Sequence, residues 1–303
     1  MNWKDIIITL VLIFGFSIIV NIIAVLWGAL FPPPDCVGVI EINGELVAQG
    51  TSSFLGPGLA GSKDIAGLIK ETADRREVKA LLIEVNSPGG SIVASREIRD
   101  ALQRAGKPKV AYLRETAASG GYYIIAGVDY IISDPATITG SIGARATVED
   151  LSGLFEKLGI NVTVVKSGEF KDIGDPTRPL TEEERKILQD IVDEIFEDFK
   201  STVEQGRAGK LNEYEFSKIL DARILTGKQA QRIGLVDELG GEQRAIDKAA
   251  ELGKLKPSPP LCEVKKKASI FEEIFGMFAR LFAEIVSNLF RIDVGGGWRL
   301  QYR

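Results

Sequence analysis

Ser119 lies in the stretch ETAASGGYY, residues 115–123, between small residues and two glycines. A hydroxyl at the start of a helix, beside glycines that let a carbonyl approach the backbone, meets the first requirement of acyl transfer. The second is a base, and the chain contains no histidine. Ser-His-Asp and Cys-His catalysis are therefore excluded, as are HExxH zinc sites and the histidine-bearing iron triad. Lysine can replace histidine once its ammonium, with an ordinary pKa of ~10.4, loses its proton. Burial among apolar groups favours the neutral amine by up to ~3–5 units. Lys166 and Lys171, in VVKSGEFKDIGDP, are the candidates, and spacing does not choose between them. A second glycine turn, Ser87-Pro88-Gly89-Gly90, follows another strand-like segment. In an open α/β sheet, turns at the carboxyl ends of adjacent strands converge on one crevice, where backbone N–H groups can meet an oxyanion.

Positioning these turns calls for alternating strands and helices, and the sequence has them. Strands are expected at 36–44, 78–86, 109–114, 129–134 and 160–166 (INVTVVK), with helices at 63–73 and from the turn at 87–91 to about Arg104, and Ser119 opening a short one. Such spacing indicates βαβ units and a mainly parallel sheet. From Thr181 the pattern turns helical: Thr181 and Glu184 form a capping box for an amphipathic helix reaching about Gln205. Shorter helices follow at 213–220, 227–233 and 241–253.

The ends differ from this body. Ile6 to Phe31 runs 26 residues without a charge, ~39 Å as a helix against ~30 Å of hydrocarbon core. It reads as an uncleaved transmembrane anchor, a cleaved signal peptide being the alternative. Lys4 before it and Asp35 after it place residues 1–5 in the cytoplasm and the body outside. Near the other end, Ser269 and Glu272 open an amphipathic helix to about Ile292 with a wide aromatic face, suited to a membrane surface or a neighbouring subunit, packing on its own domain being the alternative. A net charge of −5 with no long basic stripe argues against a nucleic-acid partner. Cys36 and Cys262 fit neither a zinc spacing nor a disulfide scaffold, and their pairing stays open. The Gly-Lys pairs at 106, 209 and 227 lack the Ser or Thr of a P-loop.

Five segments then occur in a telling order: SPGG, AASGGYY, TGSIGA (139–144), KSGEFKDIGDPTRPLT (166–181) and RILTGKQAQRIGLVDELGG (223–241). Over roughly residues 36–255 the chain closely resembles the signal peptide peptidase A (SppA) family of membrane-anchored serine proteases. The resemblance implies a ClpP/crotonase-type α/β fold and a Ser-Lys dyad. Ser119 matches the nucleophile and Lys171, not Lys166, the general base. Gly90 and Gly120 match the oxyanion-hole amides, and Ser141 the hydroxyl that orients the lysine amine. It also implies cleaved signal peptides as substrates, a homo-oligomer with the eight-subunit rings of shorter members as precedent, and no cofactor or metal. The implied organisation is an anchor at 6–31, a protease domain at 32–256 and a helical extension at 257–303. The ending VGGGWRLQYR has no counterpart in the family pattern. Two other enzymes compete with this reading: a related Ser-Lys protease that cuts partner membrane proteins, and a crotonase-like enzyme acting on acyl-CoA. A non-enzymatic scaffold is the third alternative.

Overall fold

The computed structural model describes residues 33–50 and 61–263, with residues 3, 15, 16 and 30 as single positions. Apart from those positions the expected anchor, and all of the expected C-terminal helix, lie outside the described residues. Among the described residues no helix is long and apolar enough to cross a membrane.

The frame is a mostly parallel sheet. Strands β1 (Cys36–Asn43), β2 (Val78–Ser87) and β3 (Lys109–Ala118) lie side by side, all parallel. On the outer edge of β3, its first half pairs with β4 (Tyr130–Ser133) and its last residues with β5 (Ile138–Gly140). Strand β6 (Ile224–Thr226) joins β5 antiparallel, β7 (Glu238–Leu239) joins β4, and β8 (Leu261–Glu263) closes the far side against β1.

Apolar residues on both faces of β1, β2 and β3 bury them on both sides, as parallel strands require. Leu81, Ile83 and Val85 of β2 face helices α1 (Ser62–Asp74) and α2 (Ile92–Arg104) within the larger core. Ala80 and Leu82 face Ala245, Ile246 and Ala249 of α8 (Glu242–Leu252) on the other side. The short α3 (Gly120–Tyr123) directly follows β3. Helix α5 (Glu182–Gly206) carries the expected capping box, with Thr181 Oγ1 accepting from the Glu184 amide at 3.2 Å. Its buried Phe199 and Val203 pack on the larger core. At its end, the fully buried Arg207 donates to both carboxylate oxygens of Asp237 at 2.9 Å. Helices α4 (Ser152–Lys157), α6 (Glu213–Ser217) and α7 (Gly227–Ile233) complete the described elements.

Two findings depart from or extend the sequence reading. Residues 160–166, expected as a strand, form none: Ile160, Val162, Val164 and Val165 are all exposed. Their alternation fits a pleat, but no described segment offers a ladder of hydrogen bonds, and a strand does not exist without one. Cys36 and Cys262, whose pairing the sequence left open, form a disulfide across β1 and β8, with Cα atoms 5.9 Å apart.

Candidate active site

Strands β2 and β3 run parallel with Ser87 opposite Ala117, so the turns that follow them leave the sheet on the same edge. The first turn is fixed by a neighbouring segment. Leu46 N–H donates to Gly89 C=O and Leu46 C=O accepts from Ser91 N–H, both at 2.8 Å. In this parallel bridge both bonds of Leu46 go to the neighbours of Gly90, so the Gly90 N–H points the other way. A Cβ at Gly90 would lie 2.3 Å from Leu46 O, and its φ of 149° belongs to the region that favours glycine.

The second turn carries Ser119. Its φ of 53° and ψ of −126° are unusual for a residue with a side chain, at a cost of about 1–3 kcal/mol that the surroundings must offset. They do so through the backbone: Ser119 N–H donates to Gly140 C=O at 2.9 Å, while Ser119 C=O accepts from Tyr122 and Tyr123. The hydroxyl does not cap α3 and has no hydrogen-bond partner among the described residues. The next amide, Gly120 N–H, belongs to the first turn of α3 and has no helical acceptor. A Cβ at Gly120 would sit 2.4 Å from Ser95 Oγ and 3.3 Å from Gly90 N, so the Gly90 and Gly120 amides lie close together.

Strand β5 brings up the third piece. Thr139 Oγ1 donates to Ala117 C=O at 2.6 Å, pinning β5 to β3, and Ser141 follows at once with φ 51°. Its N–H donates to Arg223 C=O at 3.0 Å. Ser119, Gly90, Gly120 and Ser141 all line one cavity of about 760 Å³. Four of the five residues singled out in the sequence are thus gathered together.

Lys171 is the fifth, and it does not line this cavity. It stands on a turn, exposed, with no side-chain hydrogen bond or ion pair to a described residue. Lys166, its competitor, is committed elsewhere: its Nζ donates to Asp172 Oδ1 at 2.6 Å and to Glu169 C=O at 2.7 Å. The cavity lining among the described residues contains no lysine, Arg145 being its one cation.

The sequence reading missed one wall of the site. Ile195, Asp198 and Phe199 of α5 line the cavity, as does Tyr123. Tyr123 meets Phe199 edge to face, with centroids 5.2 Å apart, and its hydroxyl donates to Asp198 Oδ2 at 3.1 Å. The periodicity of α5 marks Phe199 as buried, but no local signal says that it abuts a turn some eighty positions earlier. Among the described residues no cluster of His, Cys, Asp and Glu could hold a metal ion.

Comparison with known proteins identifies a family. The model of peptidase family S49 matches residues 101–256. A protein of Methanocaldococcus jannaschii named as a protease is 41% identical over 188 residues, covering 61% of this chain and 60% of the relative. A protein of Enterococcus faecium named as a signal peptide peptidase SppA is 36% identical over 219 residues, covering 71% and 63%. A Synechocystis protein named as a protease is 41% identical, covering 62% and 68%. The chain thus spans about three fifths of the length of the first two relatives. A solved structure of the 1510-N membrane-bound stomatin-specific protease is similar at 16% identity and a TM-score of 0.49, over 78% of this chain and all of that one.

Proposed function

The chain belongs to peptidase family S49, and from that premise we propose that it is a serine endopeptidase with a Ser119–Lys171 dyad that degrades remnant signal peptides at a membrane. The observation that carries this reading is the backbone of Ser119: a serine held at φ 53°, its hydroxyl without a partner among the described residues, opening into a cavity beside the Gly90 and Gly120 amides.

Chemistry follows from that geometry. Ser119 Oγ attacks a peptide carbonyl while its proton passes to the neutral amine of Lys171. The carbonyl oxygen gains negative charge and is met by the Gly90 and Gly120 N–H groups, whose direction the surrounding backbone has already fixed. The protonated lysine then gives its proton to the leaving amine, and a water clears the acyl-enzyme. Ser141, on the rim of the same cavity, accepts a hydrogen bond from the lysine and aims its lone pair at Ser119.

An exposed ammonium is a poor base, so the dyad needs a partner surface to strip water from it. We infer that this surface is a second copy of the chain, with Lys171 of one copy entering the Ser119 cavity of its neighbour. Two observations support the inference: the absence of lysine from the lining among the described residues, and the uncovered apolar side chains at Leu154, Leu158, Val162 and Val165. A single-pass anchor at 6–31 with the body outside the cytoplasm completes the reading. The Cys36–Cys262 disulfide supports it, since such bonds persist in oxidising compartments.

The test is direct. A fluorophosphonate probe should label Ser119 in the native protein and not in Ser119→Ala, and both Ser119→Ala and Lys171→Ala should lose peptide hydrolysis by on the order of 10⁴-fold or more while remaining folded. Substantial turnover by either variant contradicts the dyad, and failure of the probe to label Ser119 favours an acyl-CoA enzyme of the same fold.

A further inference from the structure

From residue 143 to residue 180 no residue is buried, so hydrophobic packing cannot fix where Lys171 stands. Yet this segment holds a closed group of charges. Asp172 Oδ1 accepts from Lys166 Nζ at 2.6 Å and from Arg178 Nη2 at 2.8 Å, while its Oδ2 accepts from Arg178 Nε at 3.0 Å. On the other side of the same guanidinium, Nη1 donates to Glu184 Oε2 at 2.8 Å and Nη2 to Glu184 Oε1. The carboxylate-bearing side chains are shielded, Asp172 at 8% exposure and Glu184 at 2%. Glu184 has a second duty, accepting from the Thr181 N–H at 2.9 Å in the capping box of α5.

An isolated surface ion pair would contribute little. Here one planar guanidinium engages two carboxylates, each through two hydrogen bonds, a geometry that lysine cannot reproduce. One of those carboxylates is the residue after Lys171. The other is in the first turn of α5, the helix that further along presents Ile195, Asp198 and Phe199 to the Ser119 cavity. Lys166 supplies a second positive charge to Asp172, so of the two lysines only Lys171 lacks a side-chain partner among the described residues.

We propose that the Asp172–Arg178–Glu184 clamp is the positioning device of the base, fixing the turn that carries Lys171 to the N-terminus of α5. The proposal rests on the Ser119–Lys171 reading. Neither Arg178 nor Asp172 touches the substrate; each acts through Lys171, by holding its backbone where the amine can reach a serine hydroxyl.

The experiment uses the full chain and three variants, Arg178→Gln, Arg178→Lys and Asp172→Asn, with Lys171→Ala alongside. Turnover of a fluorogenic peptide gives kcat and KM separately, and the fluorophosphonate labelling rate reports Ser119 activation without a peptide. The expected result is a fall in kcat and in labelling rate on the order of 10²-fold, the scale of an ångström-sized misplacement. KM should stay within about two-fold, since the cavity walls are untouched. Arg178→Lys should fare almost as badly as Arg178→Gln because it keeps the charge and loses the fork. Particle size and melting temperature should match those of the parent. Clamp variants with parental kcat beside an inactive Lys171→Ala would overturn the clamp and leave the dyad standing. An active Lys171→Ala would overturn both. Loss of activity only together with unfolding or dissociation of all three variants would also count against the proposal, because a positioning role requires an intact particle.

Discussion

The region around Ser119 and the segment around Lys171 are built by different physics. Ser119 hangs from the ends of buried parallel strands, its unusual φ fixed by bonds to Gly140, Tyr122 and Tyr123. Lys171 stands on a stretch without a strand or a buried residue, held by charge on charge. A nucleophile with its oxyanion amides can be organised inside one chain, because the sheet supplies rigidity and the turns supply donors. Lys171 is exposed in the single chain, so under the proposed dyad it loses its water only against a further surface. The contrast explains why one half of the proposed dyad is finished in the single chain and the other is not.

The difference can be broken by substitution. The larger cost to stability is expected at the turn: Gly90→Ala puts a methyl 2.3 Å from Leu46 O at a φ of 149°. It should cost about 1–3 kcal/mol of stability and, by turning the amide donor, on the order of 10²–10³-fold in kcat. Thermal melts and peptide turnover measure both. At the other region Gly168→Ala has open space around the new methyl, and stability should change by no more than about 0.5 kcal/mol. Equal penalties at the two positions would erase the distinction.

Acid sharpens it. Glu184 is held down to about 2 by Arg178 and then by the Thr181 amide, and Asp172 lies well below the usual carboxylate range because of Arg178 and then Lys166. Both are depressed acids, so the order they confer is complete above their ordinary values near 4.5 and 3.8 and fades as pH falls toward 2. Hydrogen exchange of amides 166–180, corrected for intrinsic rates, should quicken between pH 5 and pH 2. Protection that stays flat across that range would mean that something other than the clamp holds the segment.

These two regions also differ in how far the sequence discloses them. The glycine turns, the strands before them and the capping box of α5 are legible because each is local: a few residues set φ, an N-cap or an apolar period. Gly90, Gly120, Ser119 and Ser141 meet where parallel strands had to bring them. The 160–166 alternation misleads because period two describes a side-chain pattern, while a strand also needs a partner edge. Lys166 and Lys171 are equivalent by spacing; the family resemblance chooses Lys171, and the structure adds that Lys166 is bound to Asp172. The α5 wall at Asp198 and Phe199, and the Cys36–Cys262 bond across 226 positions, depend on long-range packing that no local pattern encodes.

Subunit mixing tests the central claim most directly. Ser119→Ala and Lys171→Ala chains, each inactive alone, are co-expressed in equal amounts and the assembled particles are assayed for peptide hydrolysis. If the lysine of one copy serves the serine of the next, random mixing leaves about a quarter of the sites with both groups, and activity should return to roughly that fraction of the parental value. A mixture as inactive as its components would contradict the account, because serine and lysine would then have to come from the same chain.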